Sequence, residues 1–583
     1  MKVVLVGINS RFSHTMLSVR CLASYARAQG TDCVIREYTI NNQAESIVQS
    51  LYFEKADIFA FSCYIFNIRQ VGDVASSLRK LLPEACFVFG GPEVGYGAED
   101  FLRGHPYADF VLTGEGEESF AEFVRDYDSV RGQKKRYCEN KRKGCAFLYD
   151  GKFEFSGFGD VAPDLDRFPF PYGDELPKLK DRILYYESSR GCPYRCSYCL
   201  SSIDKSVRFR SLAKVFGELK LFLDAGVRFV KFVDRTFNCD NARALEIMKF
   251  LAENDNGITE FHFEVAVWLF GEDVFRFLES VPRKDLFRFE VGIQSTNTET
   301  LRAIGRSADV RTVLDKTRQL VKTGFHVHAD LICGLPYENL SSFARSFDEV
   351  YSLGAECLQL GFLKVLRGAP IAGQHEHGNV FSDIPPYEIL YNKYISYDDI
   401  VRLKRIEELV ELYYNSGLCS FLSAGILETR FGKTPFAFYD GFAEALLHCG
   451  FFDGAHRTVE LFDYIYKYIR TLGMPDTEAE ALCGFDFYRF GKPGAFPEWL
   501  SVRPDKELHR MLMSDAGGLG RLAEELPEGF SVGHRNSEVA TFRTGDKEMT
   551  YLFLYGARHK VVTIVERSHN QPLCGSQSCY NKK

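Results

Sequence analysis

The sequence is organised around the stretch Ser188-Ser189-Arg190-Gly191-Cys192-Pro193-Tyr194-Arg195-Cys196-Ser197-Tyr198-Cys199. Its three cysteines, Cys192, Cys196 and Cys199, are spaced C-x3-C-x2-C. A short apolar run, Ile183-Leu184-Tyr185-Tyr186, precedes them and predicts a strand. We therefore expect the cysteines on a tight loop after a strand, with the glycine and proline of the stretch shaping that loop.

Three thiolates on one loop suit three corners of a cubane [4Fe–4S] cluster. No fourth cysteine follows at a matching spacing, so the fourth iron would be open to a ligand that is not protein. A structural zinc site needs four ligands, usually as two pairs, and no H-x3-5-H pair lies nearby. A disulfide framework is not expected in a chain of this size without a secretory signal. Chance spacing among the 17 cysteines is the remaining alternative.

At these residues the sequence resembles the radical S-adenosylmethionine (radical SAM) superfamily. The resemblance implies that SAM chelates the open iron through its amino and carboxylate groups. It further implies that one electron from the reduced cluster cleaves SAM to a 5′-deoxyadenosyl radical, which abstracts hydrogen from a substrate. Tyr198 matches the family's aromatic residue, whose backbone lies beside the adenine.

The bulk composition is that of an ordinary globular protein. The 583 residues predict three or four domains. A net charge of −8 gives no support for a dedicated nucleic-acid-binding surface, which would be basic. No apolar run reaches membrane-spanning length and the N-terminus does not read as a signal peptide. We expect a cytosolic, reducing compartment, in which most of the other cysteines are small buried hydrophobic residues.

The first third predicts an α/β domain over residues 1–135. Buried strands alternate with helical patterns, which indicates a doubly wound (Rossmann-like) parallel sheet covered on both faces. The predicted strands span residues 2–7, 33–38, 57–62, 86–92 and 110–112. Ligands in such sheets bind at the carboxyl ends of the strands. Ser62, Gly90-Gly91 and Gly114-Glu115-Gly116-Glu117 fall at those ends.

The spacing of these residues resembles the cobalamin-binding domain. In that domain a serine after the third strand and a Gly-Gly pair after the fourth cradle the nucleotide tail. The family's Asp-x-His-x-x-Gly motif is absent, because His14 has neither the Asp before it nor the Gly after it. No protein imidazole is therefore expected on the cobalt, and the alternative interpretation is a set of βα turns without a ligand. The resemblance implies cobalamin contacts at Ser62, Gly90, Gly91, Gly114, Glu115 and Gly116.

Residues 136–180 predict a linker and residues 181–375 a partial (β/α)6 barrel. The linker holds a hairpin over 147–155 with an Asp-Gly turn and a proline-stiffened segment over 164–172. The basic run from Arg131 to Arg142 is interpreted as a solvated face. Six strands follow one another with helices between them, and the chemistry is expected at their carboxyl ends. These strands are predicted at 183–186, 227–234, 261–265, 287–295, 326–336 and 357–362.

Polar residues at the ends of these strands are the candidates for contacts with SAM. The resemblance implies that Asp234 lies near the SAM amino group, that Glu264 binds the ribose hydroxyls, and that Asp330 lies beside the adenine. Glu290, Gln294 and Ser295 on the fourth strand resemble the family's Gly-x-Gln-Ser segment. The alternative is that such a residue points outwards under the helices and is paired there. No catalytic residue is assigned, and the histidines of these strands are interpreted as interior or surface residues.

Residues 376–583 predict a mostly helical α+β domain that caps the barrel. Helical patterns at 400–413, 436–449 and 459–472 precede three strands of a small antiparallel sheet at 541–543, 551–555 and 560–565. The region resembles the uncharacterised C-terminal domain of one subgroup of cobalamin-type radical SAM proteins. Cys574 and Cys579 lie in a polar tail that we expect to be disordered.

The whole pattern predicts a cytoplasmic radical SAM enzyme that uses cobalamin to transfer a methyl group to an unactivated carbon. The alternatives are a cobalamin-assisted or cobalamin-free radical rearrangement or redox enzyme and, in another class, an iron–sulfur or corrinoid sensor or electron carrier. The substrate, a small molecule or a peptide, does not follow from fold and cofactor. The expected reductant is a flavodoxin or ferredoxin, and the oxygen sensitivity of an open cluster predicts an anaerobic host.

Overall fold

The computed structural model describes residues 1–139, 142–204, 206–514, 536–544, 547–555 and 560–568. These residues form two compact units. The first comprises Met1–Ser346 and Leu360–Ile400, and the second comprises Phe347–Gln359 and Val401–Lys583. No helix in the described part of the chain is long and apolar enough to cross a membrane.

The first sheet has seven strands in the order β2-β1-β3-β4-β5-β6-β7. The first five are parallel, as predicted, and β6 and β7 form the antiparallel hairpin around Asp150-Gly151. The sequence predicts this hairpin but not that it extends the first sheet. The strands are β1 Val3–Asn9, β2 Cys33–Thr39, β3 Ile58–Ser62, β4 Cys86–Gly90, β5 Phe110–Leu112, β6 Cys145–Tyr149 and β7 Lys152–Phe155.

Helices cover both faces of this sheet. Val3 and Leu5 pack into one apolar core while Val4 and Val6 pack into the other, because successive residues of a strand point to opposite faces. Both faces are buried, so these strands read as continuous apolar runs. The helices are α1 Leu17–Ala28, α2 Ala44–Glu54, α3 Ile68–Leu81, α4 Pro92–Gly95, α5 Ala98–Gly104, α6 Gly116–Ser129 and α7 Lys134–Cys138.

The second sheet has six strands in the order β15-β14-β13-β12-β11-β8. Its sequential order and parallel pairing confirm the predicted α/β architecture of an open, partial barrel. Two further strands, β9 and β10, form a separate ladder beside it. The strands are β8 Ile183–Tyr186, β9 Ser189–Arg190, β10 Arg208–Phe209, β11 Phe229–Phe232, β12 Glu260–Glu264, β13 Phe287–Gln294, β14 His326–Cys333 and β15 Cys357–Phe362.

Alternation along β13 separates the two faces of the second sheet. Phe287, Phe289 and Val291 are fully buried on the outer face, whereas Glu290 and Gln294 are half-buried on the inner face. The inner face is therefore polar, and it is the face on which the predicted site residues lie. Helices that follow the strands are α8 Leu212–Asp224, α9 Asn241–Glu253, α10 Glu272–Ser280, α11 Thr298–Ala303, α12 Val310–Lys322 and α13 Leu340–Tyr351.

The last third is mainly helical, as predicted, and ends in a three-stranded antiparallel sheet. A short hairpin of β16 Val380–Phe381 and β17 Ile389–Tyr391 precedes it. Cys574 and Cys579 lie outside the described residues. The elements are α14 Tyr397–Leu409 with a π-helical continuation over Val410–Asn415, α15 Ala424–Phe431, α16 Pro435–Leu446, α17 Thr458–Thr471, α18 Asp476–Phe490, α19 Lys506–Ser514, β18 Ser537–Thr544, β19 Lys547–Leu554 and β20 Lys560–Ser568.

Candidate functional site

The cysteine loop begins immediately after β9, at the carboxyl end of the first strand of the second sheet. Gly191 opens it with φ +101°, and a Cβ there would lie 1.9 Å from the Ser206 carbonyl oxygen. Only glycine tolerates both that conformation and that approach. Cys192 and Cys199 are half-buried and Cys196 is 9% exposed, all as free thiols.

Backbone contacts from other elements hold the loop. The Ser197 N–H donates to the Ile304 carbonyl at 3.0 Å, and the Ile371 N–H donates to the Ser197 carbonyl at 2.8 Å. Gly305 passes so close to the loop that a Cβ there would lie 2.7 Å from the Arg195 carbonyl oxygen. The loop is thus fixed at its middle by the segments that follow β13 and β15.

The three thiols lie close enough to influence one another electrostatically. Burial raises the pKa of Cys196 and the neighbouring Cys199 and Cys192 add to the increase, while Arg306 opposes it. Within the described ranges, however, no group of three or more His, Cys, Asp or Glu side chains could hold a single metal ion.

Asp234 lies at the end of β11 and is fully buried. Its carboxylate accepts hydrogen bonds from the Ser188 N–H at 2.9 Å and from the Ser188 and Ser189 hydroxyls at 2.6 Å. Burial raises its pKa to about 6, although these hydrogen bonds oppose the increase. Its immediate contacts are therefore with the segment that leads into the cysteine loop, and its predicted contact with SAM stays a prediction.

A charged network fills the inner face of the second sheet at Glu290. The Lys231 ammonium donates to Glu290 Oε2 at 3.0 Å, and His262 Nε2 lies 2.9 Å from the same oxygen. Burial alone would raise the pKa of Glu290, but the His262 hydrogen bond and the Lys231 charge hold it at about 2. Burial lowers the pKa of His328 to about 4, with His262 adding to the decrease. Glu290 is thus ionised beside a neutral His328.

Glu264 and Asp330 lie on the inner face near Glu290, but cationic or hydrogen-bonding partners offset the burial of their carboxyl groups less than they do for Glu290. Glu264 pairs in register with Glu290, and Lys231 reaches it only at 4.0 Å. Burial and then the Glu290 charge raise the pKa of Glu264 to about 7. The same two causes raise the pKa of Asp330 well above its usual range, and Asp330 Oδ1 is buried without a hydrogen-bond partner. These carboxyls are suited to hydrogen bonds with a bound polar ligand.

Gln294 ends β13 with φ +72°, an uncommon conformation for a residue other than glycine. Its amide folds back over Gly292, where an added Cβ would lie 2.3 Å from Gln294 Nε2. Its Oε1 atom is buried and has no hydrogen-bond partner in the part of the chain that the structure describes. An orphaned acceptor and a strained backbone at the end of a barrel strand are typical of a ligand site.

Tyr198 contacts Arg306, a residue that no sequence pattern singled out. Arg306 Nη1 donates to the Tyr198 hydroxyl at 3.4 Å, and the Arg306 guanidinium lies 5.3 Å from the centre of the Trp268 ring. Burial raises the pKa values of Cys196 and Asp330, and the positive charge of Arg306 opposes both increases. It therefore places a positive charge between the cysteine loop and the buried acids.

The carboxyl edge of the first sheet brings Ser62, Gly90 and Gly91 together, since β3 and β4 pair in register at their ends. Ser62 is 7% exposed and its hydroxyl lies 2.8 Å from the Ser18 hydroxyl. Gly91 has φ +112°, and a Cβ there would lie 2.4 Å from the Cys63 carbonyl oxygen. Gly90 is half-buried, and an added Cβ there would make only an ordinary van der Waals contact, with the Leu112 carbonyl oxygen at 3.7 Å.

The loop after β5 also packs against the chain itself. A Cβ on Gly114, which has φ +83°, would lie 2.8 Å from the Gly159 nitrogen, and one on Gly116 would lie 3.0 Å from Leu22 Cδ2. The Glu115 carboxylate forms ion pairs with Arg190 on β9 and Arg208 on β10. Thr113, just before these residues, is 2% exposed, and its hydroxyl has no hydrogen-bond partner among the described residues. The contacts with a corrinoid that the sequence resemblance implies at this edge stay a prediction.

His14 lies in the loop after β1, against the second sheet. Its Nδ1 atom is 2.6 Å from the Tyr185 hydroxyl, and burial is the first cause of its lowered pKa. The Ser13 carbonyl accepts from the Ile183 N–H at 2.7 Å. The imidazole is therefore engaged by a barrel strand, in keeping with the prediction that it is no cobalt ligand.

Sequence reasoning missed Lys231, Arg306 and Glu338 as parts of this site. Lys231 had a detectable sign, since a single lysine interrupts the apolar strand Phe229-Val230-Lys231-Phe232. Glu338 is fully buried and accepts from the Ser295 hydroxyl at 2.7 Å, which ties the end of β13 to the segment after β14. Arg306 and Glu338 follow no local pattern, because their partners are distant in sequence.

Three family models match the chain in the order that the sequence predicts. Residues 3–124 match the B12 binding domain and residues 186–350 match the radical SAM superfamily. Residues 375–534 match the family described as Protein of unknown function (DUF4080).

Similar proteins are consistent with these matches. The chain is 25% identical over 429 residues to "Uncharacterized methyltransferase PH0819" of Pyrococcus horikoshii, covering 70% of this chain and 88% of that protein. It is 28% identical over 359 residues to "Cobalamin-dependent radical SAM methyltransferase TokK" of Streptomyces tokunonensis, covering 57% of this chain but only 49% of that protein. The solved structure of the cobalamin-dependent S-adenosylmethionine radical enzyme OxsB matches with TM-score 0.57 at 13% identity, covering 88% of this chain and 83% of that one. This last likeness supports the fold.

Proposed function

We propose that this chain, whose segments match in order a B12 binding domain, the radical SAM superfamily and DUF4080, is a cobalamin-dependent methyltransferase. The reaction is the transfer of a methyl group to an unactivated carbon of a small molecule or peptide. The observation that carries the proposal is the joint placement of three free thiols and of buried, partnerless acceptors at one edge of a parallel sheet.

The groups that the fold calls for fit the residues present. Cys192, Cys196 and Cys199 would hold a [4Fe–4S] cluster, and Gly90 and Thr113 lie at the edge of the first sheet where a corrinoid would bind. When bound, the cluster supplies the electron that cleaves SAM, and cobalamin supplies the methyl group. The predicted domain limits at residues 135, 180 and 375 belong to this proposal.

The chain's own residues prepare the inner face for a charged, polar ligand. Asp330 and Gln294 each present a buried oxygen that lacks a donor, so an ammonium or hydroxyl group of SAM would satisfy them. The pKa of Glu264 is raised to about 7, so near neutral pH both its protonated and its ionised forms are present. The carboxyl group can therefore donate a hydrogen bond to a ligand or accept one from it. Glu290 stays ionised and orients Lys231 and His262. Arg306 offsets the negative charge of thiolates and acids.

The proposal is tested by anaerobic reconstitution with iron, sulfide and hydroxocobalamin, followed by incubation with SAM and dithionite. We expect 5′-deoxyadenosine together with stoichiometric corrinoid, and neither cluster nor deoxyadenosine in the triple variant Cys192→Ala/Cys196→Ala/Cys199→Ala. A cluster-loaded chain that cleaves no SAM would contradict the proposal and favour a sensor or electron carrier.

A second candidate, a radical SAM enzyme without cobalamin, is favoured by one observation. Gly91 and Gly114 are accounted for by the chain's own backbone, without a ligand. Deoxyadenosine without retained corrinoid would select this candidate. A flavodoxin or ferredoxin as reductant, a cytoplasmic location and an anaerobic host remain predictions.

A further inference from the structure

The cysteine loop is closed at its base by the ladder of β9 and β10. Arg190 on one strand faces Arg208 on the other, directly across the antiparallel pair. Like charges in that position destabilise a ladder. On the loop side of this pair, a Cβ added to Gly191 would lie 1.9 Å from the Ser206 carbonyl oxygen, so the two strands approach each other closely at the base of the loop. Something must therefore neutralise the two arginines.

Glu115, in the loop after β5 of the first sheet, contacts both of them. Its Oε1 atom lies 2.5 Å from Arg208 Nη2, and its Oε2 atom lies 3.3 Å from Arg190 Nη1. The three side chains are only 16%, 10% and 18% exposed. At such burial, charge-assisted hydrogen bonds fix geometry more firmly than they do at the surface.

Further carboxylates complete the arrangement around the two arginines. Arg190 donates to Glu117 at 2.6 Å and to Glu187 at 2.7 Å, and Arg208 donates to Asp204 at 3.0 Å. Each of these acids contacts one arginine of the pair. Among the described residues only Glu115 forms ion pairs with both arginines, so its removal would leave the facing charges without a common partner there.

We infer that Glu115 is a positioning residue for the cysteine loop, acting from the B12-binding domain on the neighbouring radical SAM domain. By joining Arg190 to Arg208 it keeps the base of the loop closed, and Cys192 lies only two residues beyond Arg190. The inference rests on the proposed function, because it takes the loop to hold a cluster. It gives Glu115 a role different from the corrinoid contact that sequence resemblance implies.

The test is the variant Glu115→Gln in the full chain, reconstituted beside the unaltered chain. Iron release to a strong Fe(II) chelator is expected to be on the order of tenfold faster, as for loss of an outer-shell partner of a metal site. The electron paramagnetic resonance spectrum of the dithionite-reduced cluster should also change, while corrinoid content is retained. Lower corrinoid content with unchanged iron release and spectrum would overturn the inference.

Two further variants separate positioning from general destabilisation. Glu115→Gln/Arg208→Gln removes one of the facing charges and should bring iron release most of the way back. Glu37→Gln is the control, because it weakens an ion pair of the same length in the same domain, Arg20–Glu37 at 2.5 Å, that is even more buried than Arg208–Glu115. It should lower the thermal midpoint without accelerating iron release, and equal acceleration by Glu37→Gln would overturn the inference. A failure of the unaltered chain to take up a cluster would instead refute the proposed function.

Discussion

The carboxyl edges of the two parallel sheets differ in what surrounds the residues at the ends of their strands. At the first edge, Gly91 and Gly114 meet the backbone of Cys63 and Gly159. At the second edge, Asp330 and Gln294 present buried oxygens that have no hydrogen-bond partner among the described residues. A glycine turn can thus be explained by internal packing, whereas an orphaned buried acceptor points to something outside the chain.

The largest expected effect concerns the cysteines that open the second edge. Any one of Cys192→Ala, Cys196→Ala and Cys199→Ala should abolish SAM cleavage, because three thiolates are the minimum that the loop offers to a cluster. Iron and sulfide content of the reconstituted protein is the measurement. Cys33→Ala, at a buried thiol of β2, is the control and should retain both. Full cluster content in any single cysteine variant would contradict the prediction that the second edge binds a group from outside the chain through this loop.

The charge network below that edge gives the next effect. Lys231→Met leaves Glu290 without its cation in a largely buried place, and we expect the free energy of unfolding to fall by about 2 kcal/mol. The exposed helix pair Lys220–Asp224 is the control, with about 0.5 kcal/mol for Lys220→Met. Urea unfolding measures both. Equal effects would mean that the inner face is solvated like a surface.

The pH dependence of stability tests whether the acids of the second edge are truly uncompensated. The pKa of Glu264 is raised to about 7 in the folded chain, above its value in the unfolded chain, so folding takes up a proton between them. Its contribution is full below the unfolded pKa and is lost as pH rises through about 7. We expect Glu264→Gln to remove part of the fall in stability between pH 5 and pH 8.

Urea unfolding of Glu264→Gln at those two pH values is the measurement. At pH 8 the variant should be more stable than the unaltered chain by about 1 kcal/mol, after allowance for partial exposure. A variant whose stability falls with pH as steeply as that of the unaltered chain would show that Glu264 is compensated in solution.

The last comparison is between Gly90 and Gly91 at the first edge, and Gly90→Ala is expected to have the smaller effect on stability. Gly90→Ala meets only ordinary contacts and should cost less than about 1 kcal/mol. Gly91→Ala, at φ +112° against Cys63, should cost about 2 kcal/mol. If corrinoid lies on this edge, Gly90→Ala should lower its retention despite near-normal unfolding. Unchanged retention in Gly90→Ala would favour the enzyme without cobalamin.

Sequence reasoning was strongest where a local pattern determines the structure. The strands of both sheets alternate or run apolar according to their burial, so their places and the cysteine loop could be predicted. The partners of Asp234 and Glu115 could not, because contacts with Ser188 and Arg208 depend on how distant segments come together. The docking of the β6–β7 hairpin was missed for the same reason, since its turn says nothing about which sheet it joins.

The loop after β1 has a consequence for the solubility of the second sheet. Ser13 and His14 pair with Ile183, so this loop covers the first residue of β8, an outer strand of an open sheet, while the Tyr172 hydroxyl bonds the Tyr185 backbone further along it. An uncovered outer strand exposes unpaired amide and carbonyl groups that recruit strands from other molecules. A chain shortened to begin near residue 160 keeps the Tyr172 contact but uncovers the backbone of Ile183, and we expect it to self-associate more than the full chain does.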